Sequence, residues 1–186
     1  MHRGTFDKGE LYWFDSVRWE RVFFVEGKPT RLSKTMMTDL VLPPDTNNHG
    51  TIFGGRIMAY IDKIASITCM RHARTPVVTA SSDSLDFLEP VKVGEAVRLE
   101  AFVTWTHKTS MEVYVKVESE NLMTGEVKLT ATAYLTFVAL GPDGKPTPVT
   151  PVIPETAEEK RHYDTAPERY EMRRQRKLHR RNMNMV

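Results

Sequence analysis

The 186-residue chain has a single cysteine, Cys69. One thiol excludes an internal disulfide framework and a cysteine-based structural metal site, and it fits a reducing cytoplasm. Cys69 also falls in an apolar run with no activating base but His72 within a turn, so it reads as an inert core thiol. Long apolar runs are missing too: no stretch approaches the roughly 18 residues that a membrane helix needs. From Met1 to Tyr12 there is neither an apolar region nor a small-residue cleavage site, so no secretory signal is expected. Charge of one sign is scarce. The 26 Lys and Arg against 24 Asp and Glu leave a formal net charge of +2, too little to point to nucleic acid as a partner. No G-x-S-x-G elbow, zinc-spaced His/Cys/carboxylate set, G-x-G-x-x-G or P-loop occurs. The chemistry is therefore expected to need no metal and no organic cofactor.

What is present is 40% hydrophobic, enough for one packed domain with appended segments. Residues 1–32 read as an N-terminal extension that mixes aromatics with charges and breaks at Gly27-Lys28-Pro29; a short strand pair or a mobile arm would both suit it. Lys34 to Leu42 reads as a strand stopped by Pro43-Pro44, and Asp45-Thr46-Asn47-Asn48-His49-Gly50 is a turn. From Gly54 apolar residues recur at helical spacing on more than one face, which predicts a buried helix ending near Arg74, just before Pro76. Val77–Phe87, Val97–Trp105, Met111–Glu118 and Glu126–Leu140 read as strands, two of them with clean apolar–polar alternation. Met123-Thr124-Gly125 reads as a hairpin turn. One strand, one buried helix and a four-strand antiparallel meander make an α+β domain over 33–142, a helix wrapped by a curved sheet. Residues 143–186 form a charged tail with two short helices, Glu155–Arg161 and the basic Pro167–Arg181. The plainest reading of that tail is a solvated helix, with docking at a subunit interface or on a polyanion as the alternatives.

The run Asn47-Asn48-His49-Gly50-Thr51-Ile52-Phe53-Gly54-Gly55-Arg56-Ile57-Met58-Ala59-Tyr60-Ile61-Asp62 resembles the signature of the hotdog-fold acyl-CoA thioesterases, the group similar to cytosolic long-chain acyl-CoA hydrolase. Arg71-His72 with Val77-Val78-Thr79-Ala80-Ser81, and Lys108-Thr109-Ser110-Met111-Glu112, resemble two further stretches of that family. The likeness spans about Ser33 to Leu140. It implies a single hotdog fold and hydrolysis of acyl-CoA to a fatty acid and CoA. It also implies a homo-oligomer, at least a dimer and commonly a trimer of dimers, in which Asn47 and Asp62 come from different subunits.

Each piece has a physical reason. A helix N-terminus presents N–H groups without intrahelical acceptors, and Gly54 and Gly55 leave room for a thioester carbonyl to reach them. Asp62 falls among Met58, Ile61 and Ala65, where burial would raise its pKa toward that of a useful general base; a nucleophilic role is the alternative. The resemblance assigns Asn47 to orienting the water and Thr79 to contact with Asp62 or that water. It also places the Lys108–Ser110 turn against CoA pantetheine and phosphates. Phe87, with Ser84 before it, is a candidate lining of the acyl or pantetheine channel. Two rival readings remain at this point. One is a hotdog enoyl-CoA hydratase using Asp45 and His49, though that spacing is one residue short and the usual proline is absent. The other is a non-catalytic acyl-CoA sensor, which would need a DNA-binding module that residues 1–31 are too short to form.

Overall fold

The computed structural model describes residues 26–183; most of the N-terminal extension, residues 1–25, lies outside them. Five strands form one antiparallel sheet: β2 (Thr35–Leu40), β3 (Val77–Phe87), β4 (Ala96–His107), β5 (Ser110–Glu120) and β6 (Val127–Ala139). A short β1 (Lys28–Pro29) pairs in parallel with β7 (Val152–Ile153), tying together the two segments that flank the main sheet. The long helix α1 (Gly54–Ala73) packs on one face of the sheet.

The strand order is β2-β4-β5-β6-β3. The expected four-strand meander is therefore a three-strand one, β4-β5-β6, and β3 lies at the far edge against β6. The reason is occupancy. β2 pairs with β4 along its whole length, so the strand leaving α1 finds its open partner on β6. Period-two alternation reports which face is buried and is silent about which neighbour a strand takes. The tight β4–β5 hairpin turns at Lys108, a non-glycine residue at φ 49°. In the β5–β6 turn, Asn121 Oδ1 accepts from the Met123 and Thr124 N–H groups, and Gly125 supplies φ 74°.

Buried Ile57, Ile61, Ile64, Thr68 and His72 recur in steps of four and three, which stacks them into one stripe facing the sheet. Met58 and Met70 are exposed on the other side. The helix is thus amphipathic rather than enclosed, unlike the sequence reading. It stops at Arg74, left-handed at φ 59° with its N–H on Met70 O. Lys28 Nζ caps the carbonyls of Arg71 and His72 at 2.5 and 2.9 Å, placing a cation at the negative end of the helix.

On β5, Met111, Val113, Val115 and Val117 face α1, and Glu112 and Tyr114 face the opposite side, all of them buried. That second face is covered by α2 (Ala157–Asp164) and α3 (Ala166–Met183). Helix α2 opens on a capping box between Thr156 and Glu159. The basic tail is therefore not simply solvated: Arg169 Nη2 lies 2.7 Å from Glu112 Oε1 and Arg173 Nη1 2.6 Å from Asp83 Oδ2. Among the described residues no helix is long and apolar enough to cross a membrane.

Candidate active site

Asp62 stands on the side of α1 that the sheet leaves open, one residue past buried Ile61. Thr79, near the start of β3, reaches it: Thr79 Oγ1 donates to Asp62 Oδ1 at 2.7 Å. Both residues are exposed in the single chain. The desolvation expected for Asp62 is thus not supplied by its own protomer: Ile61 and Ala65 are buried in the core, and Met58, on the same side as Asp62, is itself exposed.

Eight residues earlier the helix begins. Phe53, the residue before it, makes no side-chain cap, so the N–H groups of Gly54 and Gly55 have no intrahelical acceptor. A Cβ at Gly55 would lie 2.5 Å from Phe53 Cε1, whereas one at Gly54 would sit at an ordinary 3.5 Å from Phe87 Cζ. Gly54, Phe87, Ile57, Pro90 and Val91 line a cavity of about 300 Å³ at this end of the helix. The structure thus brings Gly54 and Phe87 together. It does not bring Ser84 there, since Ser84 pairs with Tyr134, whose hydroxyl meets His162 of α2 on the other face.

Asn47 sits in the turn before α1, with its amide engaged locally. Its Oδ1 accepts from His49 N at 2.9 Å and its Nδ2 donates to Thr51 Oγ1 at 3.0 Å. One N–H of the amide remains for another acceptor. Within one chain no hydrogen bond joins Asn47 to Asp62 or Thr79 among the described residues.

Lys108 is exposed at the tip of its turn. The Ser110 hydroxyl is spent closing that turn on His107 O at 3.1 Å. Ser110 pairs with Val138, which pairs with Val78, so the Lys108 turn lies at the Thr79 end of the sheet. Phe87 pairs with Ala131 at the opposite end, roughly 26 Å along β3 at 3.3 Å per residue. Two groups of expected site residues therefore flank one free strand edge, and a single chain does not close them into one pocket.

The model of the Thioesterase superfamily matches residues 49–126. An uncharacterized acyl-CoA thioester hydrolase of Bacillus subtilis is 55% identical over 147 residues, covering 79% of this chain and 86% of that protein. The chain belongs to the acyl-CoA thioester hydrolase family. The mouse cytosolic acyl coenzyme A thioester hydrolase is 31% identical over 88% of this chain, which spans 44% of that longer protein. Among solved structures, an apo-hexameric acyl-CoA thioesterase is 58% identical with a TM-score of 0.78, covering 80% of this chain and 95% of its own. The acyl-CoA hydrolase of Staphylococcus aureus, in complex with butyryl coenzyme A, coenzyme A and coenzyme A disulfide, is 45% identical with a TM-score of 0.81, over 85% and 96% of the two chains. Three further structures of the Staphylococcus enzyme each carry one alanine replacement, of an aspartate, an asparagine or a threonine. The asparagine lies 15 positions before the aspartate and the threonine 17 after it. Asn47, Asp62 and Thr79 have the same spacing.

Two groups in this thioester hydrolase chain escaped the sequence reading. Tyr60 OH donates to Asp39 Oδ2 at 2.5 Å and accepts from Arg56 Nε at 3.0 Å, and Arg56 Nε also lies 3.1 Å from Asp45 Oδ1. Burial and the Asp39 contact push the Tyr60 phenol up, while the hydroxyl's hydrogen bond pulls Asp39 down. Asp45 O accepts from Phe53 N at 2.9 Å, so this network fastens the Asn47 turn to the start of α1. The second group is the set of acids, Asp83 and Glu112, under the arginines of α3. Its signal was present in the sequence as Arg169, Arg173 and Arg176 at helical spacing. As expected, Cys69 is buried, and burial drives its thiol pKa well up.

Proposed function

We propose that this chain hydrolyses acyl-CoA thioesters to a free fatty acid and CoA, in an active site shared by two copies. The observation that carries the reading is the exposed Thr79–Asp62 hydrogen bond on α1, about 12 Å along the helix from the uncapped Gly54–Gly55 amides at 1.5 Å per residue. It is supported by the spacing that Asn47, Asp62 and Thr79 share with the three positions replaced in the Staphylococcus hydrolase. Water attacks the thioester carbonyl with Asp62 as general base, held in orientation by Thr79 Oγ1. The Gly55 N–H receives the oxyanion; one such donor typically contributes ~10²–10³ in rate. Asn47 of a second copy directs its spare N–H toward the water, and that copy covers Asp62 and supplies the desolvation its own chain lacks.

Such a site makes the working unit at least a dimer formed along the free edge of β3, with a trimer of dimers as the full assembly. Lys108 serves the CoA phosphates as a mobile cation, and the groove of Gly54 and Phe87 takes the acyl or pantetheine chain. The chemistry draws on side chains and water alone, without metal or organic cofactor, and the place of work is the cytoplasm. The test is thiol release from acyl-CoAs of graded chain length, with enoyl-CoA hydration measured in parallel. Thiol release across part of the series is expected. Hydration without thiol release would replace this reading with the hydratase one.

A further inference from the structure

Strand β3 carries Thr79 at an edge of the sheet, with no strand beyond it among the described residues. Its register against β6 slips twice, between Thr79 and Ser81 and between Ser82 and Ser84. Each slip interrupts the ladder, bends the strand and re-aims its side chains. Asp83 sits inside this irregular stretch with its side chain only 6% exposed. Its Oδ1 accepts from Ser81 Oγ at 2.6 Å and Arg176 Nη2 at 2.9 Å, and its Oδ2 from Thr136 Oγ1 at 2.8 Å and Arg173 Nη1 at 2.6 Å. Arg176 Nη1 also takes the Asp83 carbonyl at 3.1 Å. Arg169, next along the same helix face, is anchored on Glu112 Oε1 of β5.

The geometry of α3 follows from these contacts. Arg169 and Arg176 are seven residues apart, about 10 Å along a helix, which matches two strand spacings of about 4.8 Å. Helix α3 therefore crosses β5 and β6 and ends its grip on β3. A carboxylate buried on the outer face of a sheet is costly unless fully paired, and an apolar residue would serve packing there. The pairing makes sense as a tether. Where the β3 ladder is interrupted, the arginines hold the backbone and side chain of Asp83 in its place.

We propose that Asp83, Arg173 and Arg176 are positioning residues for the Thr79–Asp62 pair, with α3 clamping the irregular part of β3 so that Thr79 Oγ1 stays on Asp62. A shift of one residue in β3 would turn Thr79 to the opposite face. The clamp builds on Asp62 being the reacting carboxylate, so its test has one arm that needs no substrate.

Steady-state kinetics on an acyl-CoA would be measured for Arg173→Met, Arg173→Lys and Arg176→Met, each with Thr79 and with Thr79→Val. Arg176 is half exposed, so its variant keeps the fold even if Arg173→Met does not. The methionine variants should lower kcat about 3- to 30-fold with KM nearly unchanged, and Arg173→Lys should recover part of the loss. On Thr79→Val the same substitutions should cost less than about 2-fold, because the hydroxyl they position is gone. Equal losses in both backgrounds, or an unchanged kcat in Arg176→Met, would overturn the clamp. Amide hydrogen exchange over residues 79–84 is the substrate-free arm. Arg176→Met should speed it while exchange in β5 holds steady, and an unchanged β3 would sink the proposal whatever the enzyme hydrolyses.

Discussion

Thr79 Oγ1 donates a 2.7 Å hydrogen bond to Asp62 Oδ1, joining the edge strand to the open side of the helix at a point where both residues are exposed. A hydrogen bond to the carboxylate fixes the orientation of one oxygen and leaves the other to face a water. Covered by a second copy as proposed, such a bond to a charged group would contribute about 1.5–3 kcal/mol. Thr79→Val should therefore lower kcat by about 10-fold or more, while Thr79→Ser should retain most of it. Steady-state kinetics of the two variants separates loss of the hydroxyl from loss of the methyl group.

Asp62→Asn and Asp62→Ala should each cut turnover by ~10² or more, in line with loss of a general base, with assembly unchanged by size-exclusion chromatography. Near-full activity in Asp62→Ala would remove the carboxylate from the mechanism.

Lys108 projects from a turn held by its own backbone: Lys108 O accepts from Val149 N at 2.9 Å, and Thr109 O from Ala139 N at 3.0 Å. Its ammonium makes no ion pair among the described residues and would be able to follow a phosphate of the proposed substrate. Lys108→Glu should raise KM for acyl-CoA with little change in kcat, since the contact is equal in ground and transition states. With a short thioester lacking the nucleotide the effect should shrink. An equal loss on both substrates would mean that the turn itself is damaged.

His72 ties stability to pH. Its Nε2–H donates to Thr150 O at 2.8 Å, which leaves Nδ1 unprotonated and buried without a partner among the described residues. Burial first, and Lys28 besides, lower its pKa from the ordinary 6.5, against the raising effect of the Thr150 carbonyl. The unfolded chain then binds more protons than the folded one in mild acid. Stability is fully present above about pH 6.5 and falls as pH drops through that value, levelling below the folded pKa. Melting temperature against pH should show this fall. His72→Gln should make it shallower without abolishing it, because His107 and His162 are also lowered by burial.

Much of this was legible in the sequence, for identifiable reasons. Helix α1 announced itself through Ile57, Ile61 and Ile64, and β5 through alternating Met111, Val113, Val115 and Val117, because both periods report a buried face. The position of β3 was not legible, since alternation carries no information on neighbours. Asp62 read as buried, yet it is exposed in the single chain. Met58 shares its side of the helix, and an apolar neighbour in sequence says nothing about exposure when the helix has an open face. The α3 contacts were missed for a different reason. Arg169, Arg173 and Arg176 align on one face, but their partners Asp83 and Glu112 lie 57 to 93 positions away, and charge spacing on one helix cannot say what it meets.

The proposed active site draws Asn47 from one copy and Asp62 from another. In one chain no hydrogen bond joins the two among the described residues, and the proposed two-fold pairing would bring each copy's turn against its neighbour's helix. Asn47→Ala and Asp62→Ala homomers should both be nearly inactive. Co-refolded in equal amounts, they should form mixed dimers with one intact site and one doubly broken site. With random pairing half the dimers are mixed, so thiol release should recover to roughly a quarter of the wild-type rate. Mixed dimers verified by differential tagging that stay as inactive as their parents would contradict the shared site and place each centre within a single chain.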